Sequence, residues 1–306
     1  MPADLIDGAG IAREIRRRLA NDVTALVARG VRPGLTVILV GDDPASAAYV
    51  RSKGKASEEV GIHGATIRLP ASTEQVELLR LVDQMNVDPE IHGILVQMPL
   101  PKQIDPDVVM RHIHPSKDVD GFHPVNVGKM LIGQRDGFVP CTPAGIKELL
   151  RASGVATTGK ECVIVGRSNI VGKPMAALLV QDADDANCTV TVCHRHTRDL
   201  RAHTLRAEIL IVAAGRPNLI TGDMIRAGAV VIDVGMNRIP DSSARSGYKL
   251  VGDVDFESAK EVASLITPVP GGVGPMTIAM LLANTVRSAS RFADARAVKP
   301  VRTISA

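Results

Sequence analysis

Short β-branched apolar runs alternate with amphipathic helical stretches along most of this chain, and that alternation constrains its fold more than any other feature. Residues 35–40, 64–69 and 91–97 read as strands, separated by helical periodicity over 43–61 and 73–85. A helix over 11–29 precedes them and turns Ile15, Leu19, Leu26 and Val27 inward. Short apolar runs without strict alternation suit strands buried on both faces, and helices between them supply the crossovers of parallel βαβ units. Residues 101–140 break the rhythm with Pro, Gly, His and Asp and read as a loop-heavy connection and a site wall. A helix beginning at Thr142-Pro143 runs to Leu150, and a second βα series follows, with strands at 162–165, 189–193, 209–213 and 230–234. The Gly- and Pro-rich loop 267–275 precedes a last apolar helix from Met276 to Ala289.

The helix over 43–61 carries the first chemical signal. Asp43 is a good N-cap, Pro44 suits the first helical position and Gly61 suits the end. At about 100° per residue, Tyr49, Lys53, Ala56 and Val60 share one face. A lysine on an apolar face is either a snorkelling amine packed by its stem or a proton-transfer group whose ammonium form burial disfavours. The helix alone leaves both open. Aromatic residues are scarce, with two Tyr, four Phe and no Trp, so Tyr49 beside Lys53 is not routine filler.

A second signal follows the strand at 162–165. Gly166-Arg-Ser-Asn-Ile-Val-Gly-Lys-Pro174 joins it to an apolar helix. Strand, glycine turn and helix N-terminus together form an anion site, because the first amides point at the ligand. The spacing is not the standard G-x-G-x-x-G, and a purely structural βα turn is the competing reading. A protein that binds NAD usually has an acid at the end of the next strand, for the ribose 2′-hydroxyl. Here that place reads Cys193-His-Arg-His-Thr197, without a carboxylate, and Arg195 with Arg167 could pair with a 2′-phosphate. NADP is the cofactor this favours. His194 and His196 read equally well as surface residues.

Bulk properties exclude several classes. The 306 residues suffice for two domains, and 45% hydrophobic with 23% charged residues is ordinary for a globular protein. A net charge of +3 gives no case for nucleic acid. The basic residues Arg287, Arg291, Arg296, Lys299 and Arg302 read as a solvated terminus. No apolar run approaches membrane-spanning length, and Met1-Pro-Ala-Asp4 does not begin a signal pattern. Cys141, Cys162, Cys188 and Cys193 have no metal-ligand spacing and read as reduced cysteines, so no metal and a cytoplasmic location are expected.

The ordered motifs resemble one family. They include Tyr49-Val-Arg-Ser-Lys-Gly-Lys55, Gly93-Ile-Leu-Val-Gln-Met-Pro-Leu-Pro101 and Pro115-Ser-Lys-Asp-Val-Asp-Gly-Phe122. Pro140-Cys-Thr-Pro-Ala-Gly145, the 166–174 turn, Asp233-Val-Gly-Met-Asn237 and Thr267-Pro-Val-Pro-Gly-Gly-Val-Gly-Pro-Met-Thr277 complete the set. Together they resemble the bifunctional methylenetetrahydrofolate dehydrogenase/methenyltetrahydrofolate cyclohydrolases over nearly the whole chain.

The resemblance implies a two-domain α/β fold flanking a cleft. It joins a catalytic, folate-binding domain (residues 1–140 plus 275–306) to a Rossmann-like NADP-binding domain (141–274), with the C-terminal helix packing back on the first. It implies catalytic roles for Lys53, Tyr49, Gln97 and Asp120, and folate contacts from Tyr49, Gln97, Asp120, Pro270, Gly271 and Gly272. It places NADP on Gly166, Arg167, Ser168, Val171, Gly172, Arg195 and Met236. The implied chemistry is oxidation of 5,10-methylenetetrahydrofolate, then hydrolysis to 10-formyltetrahydrofolate, in a homodimer. Read without the family, Asp120 is a turn residue of Asp118-Val-Asp-Gly121 and Gln97 a strand-end side chain bonding the backbone. Asp118 keeps the turn reading in either case. Arg195 departs from the family, which commonly has serine there. A monofunctional dehydrogenase and a non-enzymatic nucleotide sensor are the competing functions.

Overall fold

The computed structural model describes residues 2–243 and 247–298, so Lys299 and Arg302 of the basic terminus lie outside the described residues. Among the described residues eleven strands are found: β1 (Asp4–Leu5), β2 (Gly34–Val40), β3 (His63–Leu69), β4 (Gly93–Val96), β5 (Glu161–Val165), β6 (Thr189–Cys193), β7 (Ile209–Val212), β8 (Val230–Asp233), β9 (Asn237–Pro240), β10 (Tyr248–Val251) and β11 (Leu265–Ile266). The chain divides into two compact units. One joins Glu14–Asn126 to the chain from Leu281 onward; the other joins the chain up to Arg13 to Val127–Met280.

The first unit has a parallel sheet in the order β3-β2-β4. Its central strand β2 is buried at every position, Thr36 included, as suits a mostly apolar strand covered on both faces. Ile38, Val40, Ile94 and Val96 pack with Leu78, Val82 and Met85 of the helix Gln75–Val87. Residues 101–126 are more structured than their composition suggests, since helices Pro106–His112 and Pro124–Leu131 form there. Both are only two turns long, too short for a periodic signal. The last helix, Val273–Val298, joins this unit from Leu281. Its Asn284 and Ser288 side chains donate to the carbonyls of Val119 (2.8 Å) and Ser116 (2.9 Å), and Phe292 meets the His92 ring edge-on.

The second unit has a parallel six-stranded sheet, β1-β11-β8-β7-β5-β6, and a separate antiparallel pair, β9 and β10. Its boundaries depart from the sequence expectation. Residues 4–5 belong here because β1 pairs with β11 across more than 250 residues of chain, in the register Asp4↔Leu265. Two residues cannot display a period, so no local pattern announces this strand. Residues 127–140 also belong here. Met130 is buried against Ala177 and Leu178, with Val127 and Val139 beside them, and Gln181 donates to the Met130 carbonyl.

Candidate active site and nucleotide cradle

In the first unit the helix Pro44–Val60 starts as its sequence dictates. The Asp43 carboxylate accepts from Ser46 N at 2.7 Å, Pro44 opens the helix, and Gly61 closes it at φ 83°. That start fixes the helix rotation, which places Tyr49 and Lys53 one turn apart. Lys53 is 7% exposed, and its Nζ donates to Gln97 Oε1 at 3.0 Å. Gln97 follows β4, and its amide N–H extends the ladder to Ile38 O. Its Nε2 donates to the Met98 carbonyl at 2.8 Å, which turns the amide so that only its oxygen faces the lysine. No carboxylate pairs with Lys53 among the described residues, so two of its three N–H donors remain available. Tyr49 is 37% exposed, and partial burial raises its hydroxyl pKa.

Asp118 and Asp120 divide their work. Asp118 is 3% exposed and accepts from Gly121 N, Phe122 N, His123 N and Asn126 Nδ2, at 2.8–3.3 Å. This is the turn role expected of it, and it holds the loop that carries the half-buried Asp120.

In the second unit the strand order doubles back beside β5: β6 lies on one side and β7 on the other. Such a switch point is where open α/β sheets bind ligands, at the carboxyl ends of the strands. Gly166 sits there at φ 135°, and a Cβ on it would lie 2.2 Å from Ala213 O. A Cβ on Gly172 would lie 2.1 Å from Gly166 O. Only glycines fit this crossing of backbones. The Ser168 hydroxyl accepts from Val171 N at 3.1 Å and so shapes the turn before the helix Gly172–Leu179. Val171 itself is buried. Arg167 is exposed, without a hydrogen-bond or ion-pair partner among the described residues.

Arg195 is exposed at the end of β6 and donates through Nε to His196 Nε2 at 3.1 Å. The turn that carries it is tied by His194 N donating to Thr197 Oγ1 at 2.8 Å. Met236, after β8, is 43% exposed and approaches Gly274. Pro270, Gly271 and Gly272 belong to this same unit; the Val269–Pro270 peptide is cis, and Gly272 packs on Thr267 and Pro268.

Sequence reasoning assigned no role to Asp233 and Asp253. Asp253 is fully buried, and its carboxylate accepts from Ala214 N (2.6 Å), Gly215 N (2.8 Å) and Asn237 Nδ2 (2.8 Å). Asp233 is 3% exposed and accepts from Gly235 N, Asp253 N and Val254 N, each at 2.9 Å. Burial pushes the Asp233 carboxyl up to about 6, against the lowering effect of those three amides. Gly252-Asp-Val-Asp255 reads in sequence as an ordinary turn. Its only cue is an Asp-rich stretch between two apolar runs. No cluster of three or more His, Cys, Asp or Glu side chains suited to a metal occurs among the described residues.

Comparison with known proteins resolves the family. The catalytic domain of the tetrahydrofolate dehydrogenase/cyclohydrolases matches residues 6–120, and their NAD(P)-binding domain matches residues 140–293. The chain belongs to the tetrahydrofolate dehydrogenase/cyclohydrolase family. The bifunctional protein FolD of Bacillus pumilus is 58% identical over 291 residues, which cover 95% of this chain and 99% of that protein. The crystal structure of the bifunctional FolD of Campylobacter jejuni matches at TM-score 0.90 and 50% identity, covering 94% of this chain and 99% of that one. The Trypanosoma brucei FolD structure, complexed with NADP and an inhibitor, also matches at TM-score 0.90, with 43% identity over 95% of this chain and 98% of that one. In this family's terms, Lys53 and Gln97 lie in the catalytic domain and the Gly166 turn lies in the NAD(P)-binding domain.

Proposed function

We propose that this dehydrogenase/cyclohydrolase oxidises 5,10-methylenetetrahydrofolate to the 5,10-methenyl form with NADP and hydrolyses that product to 10-formyltetrahydrofolate. The observation that carries the reading is Lys53 Nζ held on Gln97 Oε1 at 3.0 Å, in a chain that also builds a glycine cradle at a sheet switch point. The second unit fits a dinucleotide: side-chain-free backbone at Gly166 and Gly172, the Ser168-shaped turn, and no carboxylate after β6. Arg167, unpaired, is assigned the 2′-phosphate, with Arg195 beside it in this role, and Val171 and Met236 are assigned apolar contact. When bound, NADP supplies the hydride acceptor.

Lys53 then serves the hydrolysis. In its amine form Lys53 Nζ takes the proton released as water adds to the methenyl carbon; as the resulting ammonium it protonates the ring nitrogen whose bond to that carbon breaks, and the carbinol O–H proton leaves to solvent as the formyl group forms. Gln97 orients the amine and, being neutral, adds no charge beside a cationic substrate. Tyr49 donates a hydrogen bond within the site. Asp120 offers two acceptor oxygens to the N–H edge of the pterin. Pro270, Gly271 and Gly272 are assigned to folate contact. We infer further that the protein is a cytoplasmic homodimer. Four free, buried cysteines are consistent with a reducing compartment, and no described helix is long and apolar enough to cross a membrane.

Two assays test the function. Methylenetetrahydrofolate with NADP should generate the methenyl absorbance, and that absorbance should decay when methenyl substrate is supplied without nucleotide. A monofunctional dehydrogenase gives only the first signal, and a nucleotide sensor gives neither.

A further inference from the structure

We propose that Asp253 is a positioning residue for the nucleotide, locking the β7 loop and the Met236–Asn237 turn into one rigid floor beneath the Gly166 cradle. This rests on the nucleotide reading above. Three observations carry it. The Asp253 carboxylate gathers groups from two segments far apart in the chain: the amides of Ala214 and Gly215, and the side chain of Asn237. The loop it holds is the one Gly166 rests on, since Ala213 N donates to Val165 O at 2.8 Å and Ala213 O blocks any Cβ at Gly166. Asp253 is itself held from below, because its amide N–H donates to Asp233 Oδ1 and the following amide to Asp233 Oδ2.

The arrangement is costly in a way that a purely structural clamp would avoid. Two carboxylates sit side by side in the interior and, among the described residues, accept only from N–H donors, with no cation bonded to either. Departures of this kind from an apolar core are expected where a site must be held in one geometry. A carboxylate also does here what an amide cannot. All three groups facing Asp253 are donors, so an NH2 in place of either oxygen would oppose one of them.

The test is Asp253→Asn in the full-length protein, read by calorimetric NADP affinity, by the KM of each substrate and by nucleotide-free hydrolysis of methenyltetrahydrofolate. The NADP Kd and KM should rise at least tenfold. The KM for methylenetetrahydrofolate and the hydrolysis rate should stay within about threefold. NADP affinity within twofold of wild type in a folded variant overturns the proposal, and so does an equal fall in both activities, which marks a general packing role. If Asp253→Asn does not fold, Asn237→Ala removes one arm of the clamp and should show the same split at three- to fivefold. An unsplit response there overturns the proposal as well. Wild-type protein that does not bind NADP at all would instead sink the nucleotide reading.

Discussion

Lys53 shows how far a single residue can be read. Its place on an apolar helical face was visible from spacing, but its partner was not, because Gln97 lies 44 residues away at the end of another element. Lys53→Ala should lower methenyl hydrolysis by roughly 10²- to 10⁴-fold, the usual worth of a general acid/base, and leave NADP affinity intact. Undiminished hydrolysis in the folded variant would remove the lysine from the mechanism. Arg195 stands where the family resemblance leads one to expect serine. A hydrogen bond to a charged group is worth roughly 1.5–3 kcal/mol, about 10- to 150-fold in affinity. Arg195→Glu should therefore lower the NADP-to-NAD ratio of kcat/KM at least tenfold, and Arg195→Ser by less. An unchanged ratio in both would leave the arginine on His196, facing solvent, with selectivity resting on Arg167 and Ser168.

Elements are where the backbone becomes decisive. The cradle depends on Gly172 as much as on Gly166, because a methyl at 172 would meet the backbone of Gly166 and Arg167, which cannot rotate away. Gly172→Ala should cost roughly 1–3 kcal/mol of stability through overpacking and weaken NADP at least tenfold. Thermal melts together with calorimetry would show both, and wild-type affinity would contradict the cradle.

The end of β8 makes a prediction with a definite sign. The Asp233 carboxyl is raised from 3.8 to about 6 by burial, so the folded protein holds this proton more tightly than the unfolded chain does. Stability from this group is therefore fully present below its unfolded pKa and is lost as pH rises through about 6, a change on the order of 3 kcal/mol. Measured by denaturant titration, wild type should lose ground against Asp233→Asn between pH 4 and pH 7. A pH-independent difference between the two would show that Asp233 does not titrate in this window.

For the whole molecule, light scattering at micromolar concentration should report about twice the 32.4 kDa chain. A monomer would reject the homodimer. The larger organisation was only partly open to sequence. Long periodic segments announced themselves, so the helix Pro44–Val60, the helix Gln75–Val87 and strands β2 and β5 to β8 fall close to their expected places. Others did not: β1 and β11 are two residues long, β1 exists through a partner far along the chain, and the four-residue β9 and β10, which pair with each other, lack the buried apolar run that marks β7 and β8.

Sequence by itself determined the α/β class, the capped helix that presents Tyr49 and Lys53, the glycine turn at 166–172 and the family. Those features rest on local rules of period, capping and steric freedom, which act within a few residues of chain. Only the tertiary structure decided that residues 4–5 complete the second unit's sheet, that Gln97 holds Lys53, that Asp118 braces the loop carrying Asp120, and that Asp253 ties two distant loops together. All but the local Asp118 turn, which the sequence also announced, are hydrogen bonds between groups distant in sequence. Their energy depends on burial and on the exact placement of donors, and neither is defined until the sheets have formed.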